Sequence, residues 1–151
     1  NIKYYGRSHA SKIEEHFKCS EETAEKAAGF AWESACEKFW EDAREYAQDI
    51  FGKHVKVYQE GRSGGWYVVH GLPDVESWDA VMISKWAKLC KMVKREVDYL
   101  TSWDYVRDDI EANRWAEDDS ERYNFIDTKK GTFCLCDLET VHMVKSTGEI
   151  L

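Results

Sequence analysis

The most distinctive short stretch of this sequence is Gly61-Arg62-Ser63-Gly64-Gly65. Backbone N–H groups of a glycine-rich loop can converge into a nest for anions, and an arginine beside them adds a planar fork for phosphate or carboxylate. Arg62, Ser63, Gly64 and the following Trp66 are therefore candidate contacts for a small anionic ligand or nucleotide, in a binding or sequestering protein. The loop lacks the Lys-Ser/Thr of a P-loop, and its strand–turn–strand setting differs from that of a dinucleotide fingerprint. A hairpin tip that needs positive φ accounts for the same residues without any ligand. Cys134 and Cys136, two apart on one face of a strand, have His142 within reach of a turn. Without a second cysteine pair or a His-x-x-x-His pair they read as inward-facing thiols, and no metal is expected. No Gly-x-Ser-x-Gly elbow or similar nucleophile motif occurs, so neither a catalytic residue nor a cofactor is expected.

The carboxylates are more informative. Glu33, Glu37, Glu41, Glu45 and Asp49 recur every four residues. On a helix, like charges at that spacing repel, each pair costing about 0.2–0.5 kcal/mol, with Lys38 and Arg44 placed to relieve part of it. Folding does not require such a row. It reads either as a solvated face, as a face neutralised by the chain's own Lys85–Arg95 block, or as a negative surface for a basic partner. A second acidic block follows at Asp104, Asp108, Asp109, Glu111, Glu117, Asp118, Asp119 and Glu121. The row steps about 6 Å along a helix, whereas one DNA strand places a charge every ~3.4 Å. One row alone is thus a partial DNA mimic, and the second block would have to lie beside it for a fuller one.

The elements that must carry these residues follow from periodicity. Residues 8–18 suit a short helix. Ser20 is an N-cap for a long one, with Glu21 and Glu22 at its positive end and Gly52 to stop it after Phe51. Its apolar positions form a wide arc, including Ala24, Ala28, Trp32, Ala35, Phe39, Ala43, Tyr46 and Ile50. Two β-rich runs, 54–60 and 66–70, flank the glycine tip as a hairpin. A helix is expected from about 75 to 100, capped by Asp74 or Ser77, with Met82, Trp86, Leu89, Val93, Val97 and Leu100 as its stripe. Ser102 starts another through Trp103, Val106 and Ile110. Residues 117–121 read as a loop, and 123–127, 132–138 and 140–145 as strands. Trp32, Trp40, Trp86 and Trp103 belong to helix stripes, while Trp66 and Trp78 flank loops as possible interface anchors. The expected fold class is α+β: one domain over residues 1–151, with a long N-terminal helix and further helices on a small antiparallel sheet.

Composition agrees with a packed domain. The 151 residues are 43% hydrophobic and 14% aromatic with seven Trp, enough apolar surface to exclude disorder. No apolar run reaches the ~20 residues of a membrane span. Net charge is −8, which disfavours direct binding to nucleic acid or to anionic membranes. Residues 21–49 hold nine acidic and three basic groups and 104–121 eight and two, whereas 85–95 hold five basic groups and no acid. Five irregularly spaced cysteines suit reduced thiols and a cytoplasmic location.

Tyr58-Gln-Glu-Gly-Arg-Ser-Gly-Gly-Trp66, Val68-Val69, Gly71-Leu-Pro and Trp78-Asp-Ala-Val81 together resemble small accessory proteins encoded by phages and other mobile elements, over residues 54–90. The resemblance implies a setting in which short acidic proteins inhibit host defences, as anti-CRISPR proteins do at the basic channels of effector nucleases. The expectation is thus a non-enzymatic inhibitor whose acidic helix face occupies a basic groove on a CRISPR effector or other nuclease in the host cytoplasm.

Overall fold

A computed structural model describes residues 2–60, 66–113 and 142–144. The described residues form four α-helices and a small sheet, so the chain is α+β with helix predominating. They fall into two compact units, 1–37 with 99–134 and 38–98 with 135–151.

In the first unit, α1 (Ile2–Phe17) begins well before the expected Ser8. Its buried positions are Tyr5, His9, Ile13 and Phe17, one face at four-residue spacing. Tyr5 stacks edge-on against Trp32 at 5.0 Å and donates its hydroxyl to the Leu100 carbonyl at 3.2 Å. These tertiary contacts draw a β-prone Tyr-Tyr stretch into the helix, where propensity alone would not place it. Lys18 then takes a left-handed φ of 55° to end the helix.

Helix α2 (Glu21–Phe51) has the expected bounds. The Thr23 N–H donates to Ser20 Oγ at 3.2 Å, satisfying one of the donors a helix start leaves open. In the first unit α2 buries Ala24, Ala28, Ala31, Trp32 and Ala35 completely. Helix α4 (Trp103–Asn113) is capped by Ser102, whose Oγ accepts from the Tyr105 N–H at 3.3 Å. It buries Tyr105, Val106 and Ile110.

In the second unit, α2 ends at Gly52, with φ +111°. The hairpin forms as expected: β1 (Lys56–Glu60) pairs antiparallel with β2 (Trp66–His70), Val57 opposite Val69. The wholly antiparallel sheet does not. β3 (His142–Val144) joins the other edge of β2 in parallel, with Tyr67 opposite Met143. Hairpin-length connections join only antiparallel strands, but the chain between β2 and β3 contains all of α3 and α4, ample for a parallel return. As the central strand, β2 buries Tyr67, Val68 and Val69 in succession.

Helix α3 (Ala80–Leu100) starts later than expected, after a short 3₁₀ turn at Val75–Ser77. Neither Asp74 nor Ser77 caps it. The Ser77 hydroxyl is engaged with the Asp74 carbonyl at 2.7 Å, and the cap is Asp79, whose Oδ1 accepts from the Met82 N–H at 2.9 Å. Trp86, Leu89 and Val93 are buried in this unit.

Candidate functional site

The acidic row lies on α2 because the arc that faces the core leaves one side of the helix to charge. Four residues span slightly more than a 3.6-residue turn, so the row drifts by about 40° per step. Glu33, in the first unit, lands at the margin of the buried arc and is half-buried, while Glu37 is exposed. In the second unit Glu41, Glu45 and Asp49 are all exposed. Among the described residues none of the five makes an ion pair.

The expected relief from Lys38 goes elsewhere. Its ammonium lies 2.9 Å from Asp42 Oδ2, one turn further along and outside the row. Arg44 is exposed and has no ion pair among the described residues. The Lys85–Arg95 block does not neutralise the row either: Lys85, Lys88, Lys91, Lys94 and Arg95 are exposed on α3, and none forms an ion pair among the described residues.

The second acidic block, in the first unit, is partly matched from within. Arg107 lies 3.4 Å from Asp104 and 3.1 Å from Asp108. Glu111 meets His16 Nε2 at 3.1 Å, and Asp109 is half-buried. Glu117, Asp118, Asp119 and Glu121 lie outside the described residues. So do Arg62, Ser63 and Gly64 of the glycine tip, whereas Trp66 opens β2 opposite Glu60. The expected strands at 123–127 and 132–138 also lie outside, as do Cys134 and Cys136.

Trp78 is half-buried, its ring 5.7 Å from Trp86 and its indole N–H bound to the Pro73 carbonyl at 2.8 Å. These ties hold it within its own unit. Cys36 is buried and Cys19 and Cys90 are half-buried; burial pushes the Cys90 thiol up, away from nucleophilic thiolate. Among the described residues no group of three His, Cys, Asp or Glu side chains could hold a metal ion, and no helix is long and apolar enough to cross a membrane.

One cluster escapes the sequence reading. Glu96 of α3 is only 9% exposed. Its Oε2 accepts the Tyr46 hydroxyl at 2.8 Å, and Asp42, one turn before Tyr46 on α2 and held by Lys38, acts on the same carboxyl. Burial first, and the Asp42 carboxyl second, push Glu96 up to about 7. Burial also works to raise Asp42, but the hydrogen bond from Glu96 and the Lys38 ammonium outweigh it and hold that carboxyl below its usual range. The signal was present: Leu89, Val93, Glu96 and Leu100 step by four, three and four, placing the glutamate in an otherwise apolar stripe. Val97, assigned to that stripe, is only half-buried.

No protein-family model, curated protein or solved structure matches this chain.

Proposed function

We propose that this is a non-enzymatic interaction protein whose exposed α2 carboxylates engage a basic groove on a nucleic-acid-handling partner, in the manner of an anti-CRISPR inhibitor. The observation that carries the reading is that Glu41, Glu45 and Asp49 stand exposed without a cation on them among the described residues. Repulsion within the row, about 0.2–0.5 kcal/mol per neighbouring pair, is therefore left for a partner to relieve. The resemblance of residues 54–90 to accessory proteins of mobile elements supports the same reading. An acidic face of this kind accelerates encounter with a basic groove and makes binding salt-dependent.

The experiment is a titration of the chain and of the E41Q/E45Q/D49N variant against a CRISPR effector nuclease, at low and at physiological ionic strength. The parent's affinity should fall as salt rises, and the triple variant should bind about tenfold more weakly, at up to ~1 kcal/mol per exposed charge. Equal affinities with no salt slope would remove the reading.

A further inference from the structure

Glu96 presents a problem of proton accounting. The Tyr46 hydroxyl serves Oε2 at 2.8 Å, but buried Oε1 has no hydrogen-bond donor among the described residues. The carboxylate that acts on Glu96 from α2 is Asp42, itself an acceptor when ionised and already held by Lys38 at 2.9 Å. A buried carboxylate and a half-buried one beside it repel when both are ionised, and neither can then donate to the other. One proton resolves both difficulties: a protonated Glu96 becomes a donor to Asp42 while still accepting from Tyr46. The proton belongs on Glu96 because Asp42 has the ammonium beside it and Glu96 is the more deeply buried.

We propose that a single proton shared between Glu96 and Asp42 ties α3 to α2 within the second unit, and that the hold between the two helices weakens when this proton leaves. The groups facing Glu96 come from α2: Asp42, Tyr46 and Lys38, with Glu45 acting on the Tyr46 hydroxyl from the same helix. The sign follows from linkage. A carboxyl whose folded-state pKa lies above its unfolded one stabilises the fold in acid, and that contribution fades as pH rises from the ordinary glutamate range through the folded value. This runs opposite to the usual carboxylate, which stabilises a fold on deprotonation.

The test follows the side-chain carboxyl carbons of the full chain by NMR through a pH titration, with urea unfolding measured alongside. One glutamate should titrate with a midpoint near about 7, vanish in E96Q and move to lower pH in D42N. Glutamine keeps a donor toward Asp42 and an acceptor for Tyr46, so E96Q mimics the protonated state. Between about pH 6 and about pH 8 the folding equilibrium constant of the parent should fall about tenfold relative to that of E96Q. Parallel pH profiles for the two proteins, or glutamates that all titrate in the ordinary range, would overturn the proposal. Should E96Q fail to fold, the parent's NMR titration and the D42N shift still decide the matter: no raised glutamate, or one that D42N leaves in place, rejects it.

Discussion

Tyr67, fully buried in β2, donates its hydroxyl to the Ala43 carbonyl of α2 across 2.7 Å. Its ring lies 6.1 Å from that of Trp40 in a stacked arrangement and 6.2 Å from that of Phe39. The contact joins sheet and helix within the second unit, and burial pushes the hydroxyl far above its usual range, so it stays a donor. Tyr67→Phe keeps the ring and loses the bond, and should cost about 1 kcal/mol in urea unfolding. Tyr67→Ala should cost about 3–5 kcal/mol through the cavity it leaves. A phenylalanine variant as stable as the parent would assign the whole effect to packing.

His9 sets the acid limit of the first unit. It is 5% exposed, and its Nε2 donates to the Thr101 carbonyl at 2.9 Å, which leaves Nδ1 as the bare nitrogen, without a partner among the described residues. Burial lowers its pKa, against the Thr101 hydrogen bond. A depressed folded-state value means stability that is present above the unfolded pKa and lost as pH falls through the folded one. Between about pH 8 and about pH 5 the urea midpoint should therefore drop relative to that of His9→Gln, which lacks the titrating imidazole. Equal slopes for the two proteins would move the acid sensitivity elsewhere.

Lys18 occupies the left-handed conformation that closes α1, where a Cβ is unfavourable. Lys18→Gly should stabilise the chain by about 0.5–1 kcal/mol in thermal unfolding, the strain relieved less glycine's greater loss of chain entropy. A lower melting temperature would show that the lysine side chain outweighs its backbone.

Asp79 caps α3 through the Met82 N–H, whereas Asp74 makes no side-chain cap bond to the 3₁₀ turn it precedes. Asp79→Ala should cost about 1 kcal/mol. Asp74→Ala should change stability by much less, and a reversed order in paired denaturation curves would contradict the assignment.

What could be read in advance depended on how local the deciding physics is. The start of α2 at Ser20, its end at Gly52 and the cap at Ser102 need only neighbouring residues, and all three form as their residue types dictate. The early start of α1 depends on Tyr5 reaching Leu100, a partner 95 residues away. The position of Glu96 was visible in the spacing, yet a charged residue in an apolar stripe reads as an exception until Tyr46 and Asp42 are brought to it. Likewise, the residue types of the acidic row marked Glu41, Glu45 and Asp49, but the diversion of Lys38 to Asp42 depends on which carboxylate also faces Glu96.

The parallel seam between β2 and β3 has a consequence for how the chain is made. Synthesis delivers β1 and β2 early, and they can zip together at once, since only the glycine tip separates them. The opposite edge of β2 must then wait through α3 and α4 until His142–Val144 leaves the ribosome. During that interval an apolar strand presents unpaired backbone groups, a template for adhesion to other chains. Crowding of nascent chains is therefore a condition under which this edge is open to adhesion.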